Sequence, residues 1–468
     1  MADDVARDLT RGPIGAHLTR MTIPMFLGIS SMIFASMTDT IFVGFLGAPE
    51  LAAYSFTFPL MMGLSSVSMG LGTGASSLIA RAQGAGDRAR VRTLTTHAVV
   101  MSCGLVAILM VFALAWQREL FALMGADAEI LELVLVYMDI WVLGLPLLTL
   151  PMIASTVLRA VGNAKVPGYI MVGSSAVQIL LTPVLAFGLL GAPALGFEGV
   201  AWASVLSGIV RTIPMLALIA AGERMIVFRS DAFSGIVDST RQILYIGLPS
   251  MLSSLIAPVS MAVVLGLLAA HSAEVVAGFG IASRIEMLVT MVIMSLSSSV
   301  APFVGQNWGA GNVERVYGGL RVACVFAGVW GVACAVVLWP SAEWLVSAIN
   351  DEPTLVESAA WYLWLTSLGI APLGVGMVAS SLFIALGKPM PPFLLSLIRT
   401  VGMIPLAFLL DAQFGYVGIY AAGLVANIVM ALIAYAWGMS MLKAVAASRT
   451  ATGEPAEPPG RPLAGVGR

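Results

Sequence analysis

The sequence predicts an all-α membrane protein of twelve transmembrane helices, arranged as two pseudo-symmetric six-helix lobes. Three observations carry that prediction. Hydrophobic residues make up 59% of the 468 and charged residues only 10%, where soluble domains carry about 25% charged residues. The apolar residues gather into twelve runs of about twenty residues or more, the length a bilayer requires. The two halves of the chain also align with each other at a nearly constant displacement, which marks an internal repeat.

In chain order, the runs of the first half lie at roughly 20–45, 51–80, 92–116, 131–156, 168–189 and 197–221. Those of the second lie at 242–269, 275–304, 317–339, 355–384, 391–411 and 415–441. This gives lobes at 1–221 and 242–441 with a cytoplasmic linker at 222–241. Residues 442–468 are Pro/Gly-rich and polar, so a disordered cytoplasmic tail is expected there. Six prolines (Pro24, Pro59, Pro146, Pro151, Pro183 and Pro249) fall inside spans. Each frees a backbone carbonyl and can kink its helix.

Charge sets the orientation. Nineteen of the 23 Lys and Arg fall on one side, among them Arg7, Arg11 and Arg20 before the first span and Arg81, Arg88, Arg90 and Arg92 after the second. The loops of the other side hold only Arg118. Positive charge stays on the cytoplasmic side. Both termini are therefore expected in the cytoplasm, in a multi-pass protein of a bacterial inner membrane. No cleavable signal pattern precedes the first run.

The repeat follows a shift of 225 positions. Pro24 then falls on Pro249, Gly84-Ala85-Gly86 on Gly309-Ala310-Gly311, Tyr137 on Tyr362, Gly162 on Gly387 and Pro167 on Pro392. Near the end of each half the shift drops to 219, where "GFEGVAWA" (196–203) meets "GYVGIYAA" (415–422). Equivalent elements are six crossings apart, so the lobes share one orientation. Such paired lobes form rocking secondary transporters, with the substrate site between them.

Other function classes find no support. A net charge of −2 without any basic block gives nucleic acid no footing. Cys103, Cys324 and Cys334 sit in apolar runs without metal-ligand spacing. His17, His97 and His271 lie far apart, and no nucleophile motif or phosphate loop occurs. No enzyme activity and no cofactor are expected, so transport must be ion-driven.

The one ionisable side chain after Arg20 in the first span is Asp39, in "SMTDTIFVG". A carboxylate in hydrocarbon costs about 2.5–3.5 kcal/mol even on insertion scales, so it needs a partner, a proton or a function. Asp139 lies within the fourth span, two residues past Tyr137, and so turned about 200° from it. Arg284 and Glu286 occupy the middle of the eighth span, also two apart, and cannot pair within the helix. Glu286 is the acidic candidate for substrate contact in the second lobe, with Arg284 beside it. Arg211 and Arg399 lie nearer the cytoplasmic ends and are expected to snorkel. The 27 methionines include Met61 and Met287, flexible side chains suited to varied apolar ligands, though more often core or lipid-facing.

Several stretches resemble the multidrug and toxic compound extrusion (MATE) family. "DTIFVGFLGAPELAAYSF" (39–56) is similar to its first-helix signature, and "ARAQGAGDRAR" (80–90) and "VGQNWGAGNVERV" (304–316) to its paired loops after helices two and eight. "LRAVGNAKVP" (158–167) and "ALGKPMPP" (385–392) resemble those after helices four and ten. The resemblance covers residues 14–441. It implies a V-shaped, monomeric antiporter that exports amphipathic, often cationic drugs or toxic metabolites in exchange for H+ or Na+. It also implies that Asp39 is a proton or cation site, with Na+ as the one metal ion to consider. Tyr137 matches a tyrosine of helix four and Ser204 a hydroxyl of helix six. On helix five the family's Asn and acidic pair is replaced by Gln178 and Thr182. They keep the i, i+4 spacing of a shared face, but the second carboxylate is gone. That loss weakens a Na+ cage more than a proton site, so H+ is the preferred ion.

Depth agrees with this grouping. Asp39, Tyr137, Thr182 and Ser204 each lie six or seven residues from the outer end of their span, about 9–10 Å below the surface. Two rival readings remain: a flippase for lipid-linked precursors of the same superfamily, and a non-transporting membrane scaffold. The flippase predicts a broad cationic cleft, and the scaffold predicts a dispensable Asp39.

Overall fold

The computed structural model describes residues 8–227, 233 and 235–452, with the side chains of its last helix through residue 444. Thirteen α-helices and no strand occur among the described residues. They are α1 (Ile14–Leu46), α2 (Ala48–Gly84), α3 (Arg88–Leu123), α4 (Ala128–Leu143), α5 (Leu145–Ala160), α6 (Lys165–Phe187) and α7 (Phe197–Ala217). The second half adds α8 (Ile236–Ala269), α9 (Ala273–Gly309), α10 (Val313–Ser347), α11 (Pro353–Ala385), α12 (Met390–Phe414) and α13 (Tyr416–Thr452).

Ten of the helices are long and apolar enough to cross a membrane, and α4 with α5 makes one further bent span. The expected fourth span is thus broken, bending by 46° at Gly144. The cause is Pro146 in the first turn of α5, which has no N–H to continue the ladder. Counting α4–α5 once and adding the 37-residue α2 gives the twelve crossings. α2 is less apolar because it is rich in Gly, Ser and Thr. These residues face protein instead of lipid: α2 packs on α3, α4 and α5 and also crosses to α8 and α9.

At the C-terminus the structure departs from expectation. Leu442 is buried in the main core and α13 continues to Thr452, so residues 442–452 are helical. The Ala-rich stretch after Lys443 favours helix over coil. Residues 453–468, and 228–232 and 234 of the linker, lie outside the described residues.

Each half repeats one packing plan. α1 lies on α6 and α6 on α7, as α8 lies on α12 and α12 on α13. The halves meet chiefly through α1 and α2 on one side and α8 and α9 on the other. Their cores show where they meet. One hydrophobic cluster takes residues from both halves, including Leu18, Ile79, Ile243, Phe303 and Trp308, all toward the arginine-rich end. At the other end the clusters separate: Val43, Tyr54, Tyr137 and Val200 belong to one, and Leu268, Phe279, Met403 and Tyr420 to another. The lobes therefore join at the basic end and part toward the opposite end, forming a V.

Close backbone contacts and a peptide strap hold the joint. A Cβ at Gly84 would strike the Gln306 backbone, and one at Gly309 the Arg81 backbone. Small residues here let helices approach closely. Leu9, 1% exposed, donates its N–H to Gln306 Oε1 at 3.2 Å and accepts from Asn307 Nδ2 at 3.1 Å. Arg315 donates to the carbonyls of Leu9 and Gly12. Gln306 in turn donates to the Ala160 carbonyl of the first lobe at 2.8 Å.

Candidate functional site

Asp39 sits on α1 in the half of the first lobe away from the basic end, 2% exposed. Pro167 and Gly168 begin α6 close beside α1, and a Cβ at Gly168 would strike the Pro24 backbone. That close seam aligns α6 so that Gln178 and Thr182, one turn apart, both face α1. Gln178 Nε2 donates to Asp39 Oδ2 at 2.6 Å, and Thr182 Oγ1 donates to Oδ1 at 2.7 Å. Each carboxylate oxygen thus has its own neutral donor. No basic side chain pairs with Asp39 among the described residues.

The network continues into α7. The second Gln178 amide hydrogen points to Ser204 Oγ at 3.3 Å, and Ser207 Oγ donates to Gln178 Oε1 at 3.3 Å. The amide therefore turns its nitrogen to the carboxylate and its oxygen to a hydroxyl. Thr182 Oγ1 also lies 2.9 Å from the Gln178 carbonyl. A hydroxyl has a single proton, so Thr182 must choose between that carbonyl and Asp39.

Tyr137, 1% exposed, closes the layer from α4. Its ring stacks on Phe197 at 4.9 Å and meets Tyr54 edge-on at 5.5 Å. Both tyrosines interact electrostatically with Asp39, Tyr54 lies beside Ser36, and Tyr137 lies beside Ser204. The structure thus brings Asp39, Gln178, Thr182 and Ser204 into one bonded chain, with Tyr137 at its edge. Ser207 and Tyr54 went unread in the sequence. Ser207 could have been found from its i, i+3 spacing to Ser204, and Tyr54 from its place opposite Phe279 in the repeat.

The remaining candidates do not join this layer. Asp139 accepts from Gln117 Nε2 of α3 at 2.5 Å. Glu286 turns into the second lobe, where Tyr362 Oη donates to its Oε2 at 2.5 Å and Arg399 attracts it electrostatically. No ion pair between Glu286 and Arg399 occurs among the described residues, and Arg399 is half-buried. Arg211 reaches the Met32 sulfur with Nη1 at 3.9 Å. Arg284 and Met287 are exposed on α9, and Met61 is half-buried against the first lobe's outer core. Among the described residues no group of three or more His, Cys, Asp or Glu could hold a metal ion.

Two six-helix lobes that join at one end and part at the other, with one carboxylate buried in a polar layer, define a membrane transporter. The chain belongs to the MatE family, whose model matches residues 24–184 and again 249–409. These two stretches lie at the displacement that aligns the halves of the sequence. A FAD transporter of Shewanella oneidensis is 31% identical over 428 residues, covering 91% of this chain and 95% of the relative. The multidrug export protein MepA of Staphylococcus aureus (strain MRSA252) is 24% identical, covering 93% and 95%. An outward-facing multidrug resistance MATE transporter of the MOP superfamily superposes with a TM-score of 0.88 at 26% identity, covering 94% and 98%.

Proposed function

We propose that this MATE family transporter is a secondary active antiporter of the bacterial cytoplasmic membrane, exporting amphipathic compounds in exchange for protons. The lobes are residues 1–221 and 242–441, the protein works as a monomer, and its basic end faces the cytoplasm. The observation that carries the reading is Asp39 held by two neutral donors and no cation. In the charged state Thr182 donates its hydrogen bond to the carboxylate. Once Asp39 is protonated it can donate to Thr182, which then turns its own proton to the Gln178 carbonyl. One proton thus reverses a hydrogen bond between α1 and α6, and the lobe repacks around that change. The relatives named for FAD and for multidrug export support export of amphipathic compounds.

Protons are favoured over Na+ by the amide geometry. Gln178 presents NH2 to the carboxylate and keeps its oxygen on Ser207, and a cation needs oxygens there. The test uses everted vesicles with an imposed pH gradient and no added Na+. Uptake of an amphipathic fluorescent substrate is expected. Strict dependence on a Na+ gradient would reverse the ion assignment.

A further inference from the structure

Four helices, α1, α2, α8 and α9, make most of the contacts between the lobes and wall the space where the lobes part. Away from the first and last two turns, their charged residues are Asp39, Arg284 and Glu286. Which of these faces the opposite lobe follows from one contact. Ser30 Oγ of α1 meets Met291 Sδ of α9 at 3.4 Å, so those two residues mark the facing sides of their helices. At about 100° per residue, Phe34, Met37 and Ile41 share the face of Ser30, and all are exposed. Asp39 lies about 180° away, turned into its own lobe. On α9, Arg284, Met287 and Leu288 share the face of Met291 and are exposed. Glu286 lies on the far side, with Tyr362 and Arg399.

Each lobe therefore hides its carboxylate behind the helix that faces the cleft. Met37 and Arg284 both lie seven residues beyond the Ser30–Met291 contact, about 10 Å toward the open end. Arg284 is the one charged group on these facing walls, and none of the ion pairs among the described residues involves it. Its neighbours on the same face of α9, Met287 and Leu288, are apolar and exposed. A guanidinium in such a place binds carboxylate or phosphate strongly, through two parallel hydrogen bonds.

We infer that Arg284 reads the charge of the cargo, and that the cleft takes amphiphilic organic anions, with a phosphate or carboxylate on Arg284 and an apolar body against Phe34, Met37 and Met287. The inference rests on the transporter reading and narrows its substrate class. The same headgroup chemistry can come from a soluble cargo or from an anionic lipid.

The test measures binding, without any gradient, to the full chain in phosphatidylcholine nanodiscs. The probes are riboflavin 5′-phosphate and riboflavin, which share a ring system and differ by one phosphate, with ethidium as a planar cation. Riboflavin 5′-phosphate is expected to bind at least about tenfold tighter than riboflavin, as for a charge-assisted bidentate contact. Arg284→Gln should erase that difference and leave riboflavin affinity in place, whereas Arg284→Lys should keep part of it. Asp39→Asn should keep the preference even where proton-driven transport is lost, which separates failure of this inference from failure of the coupling reading. Equal affinity for the two flavins, tighter binding of ethidium, or an unchanged preference in Arg284→Gln overturns the proposal. Nanodiscs containing phosphatidylglycerol fix the source. Displacement of the flavin phosphate by the lipid in wild type, lost in Arg284→Gln, assigns the site to lipid headgroups; undisturbed flavin binding assigns it to soluble cargo.

Discussion

The first lobe keeps its carboxylate in a layer of neutral donors, and the second lobe fills the same positions with hydrocarbon. Along the repeat Asp39 corresponds to Val264, Gln178 to Met403, Thr182 to Ala407 and Ser204 to Gly423. Met403 and Ala407 are buried in the second lobe's outer core, with Val264 packed against it. Tyr137 and Tyr362 are retained as equivalents, and each packs edge-on against its neighbour on the preceding hairpin, Tyr54 or Phe279. The aromatic scaffold is thus common to both lobes while the ionisable chemistry is not. The second lobe places its ions elsewhere: Glu286 corresponds to Met61, and Arg399 to Ser174. Helix packing tolerates either filling, so coupling can reside in one lobe while the other follows as a rigid partner.

The largest expected effect breaks this asymmetry at its centre. Asn at position 39 keeps hydrogen-bonding capacity but cannot carry a proton. Proton-driven efflux by Asp39→Asn should fall to the rate seen without a gradient, with insertion and expression unchanged. Adding Val264→Asp to that variant should not restore transport. It would place a carboxylate among Met403, Ala407 and Tyr420 with no donors prepared for it, at a cost of about 2.5–3.5 kcal/mol. Efflux assays in vesicles read both. Full energised efflux by Asp39→Asn, or rescue by Val264→Asp, would show that the lobes are interchangeable.

A second experiment asks whether the ions of the second lobe serve stability. Glu286→Gln removes the carboxylate that attracts Arg399 electrostatically. Removing one partner of a close buried pair costs about 3–5 kcal/mol, and a loss of about 1 kcal/mol is expected here because the two side chains are half-buried and form no ion pair. The double variant Glu286→Gln/Arg399→Gln should recover most of the loss, since it removes both charges together. Thermal unfolding in nanodiscs measures the cycle, and the pH gradient should drive transport in every member. If Glu286→Gln left stability intact but uncoupled transport from protons, the second lobe would carry an ion site of its own.

How much of this was legible depended on whether the signal was local. Asp39 stood out because a lone carboxylate in a long apolar run is costly, and Gln178 with Thr182 because the i, i+4 spacing names a face. The bend at Gly144 was half-visible: Pro146 showed a break, but not that two helices would result. The hydrogen bond of Tyr362 to Glu286 was not legible, since it joins α9 to α11 across more than seventy residues. The strap at Leu9 was hidden for a different reason. Its hydrogen bonds run through backbone groups to Gln306, Asn307 and Arg315, and backbone groups leave no mark in a sequence. The facing of Arg284 needed one contact in the fold, Ser30 to Met291, before helix periodicity could assign it a side.

The smallest effect is the most specific, because it compares equivalent positions on α6 and α12. Gln178→Ala removes the donor on Asp39 Oδ2 while Thr182 keeps the other oxygen. A hydrogen bond to a charged group contributes about 1.5–3 kcal/mol, and about 1.4 kcal/mol corresponds to one pH unit. Losing the donor disfavours the charged carboxylate and favours the protonated one. Asp39 then releases its proton only at higher pH, so the optimum of proton-driven efflux should move up by about one unit. Met403→Ala alters the same turn of the second lobe. It removes packing from an apolar cluster and no donor from any carboxylate, so its pH–rate profile should keep its position even if its amplitude falls. The profiles of the two variants and the wild type decide the matter. An unshifted optimum in Gln178→Ala would leave α6 acting on Asp39 through Thr182 alone. A shift of equal size in Met403→Ala would mean that lobe packing, instead of the hydrogen-bonded layer, sets the proton affinity of the site.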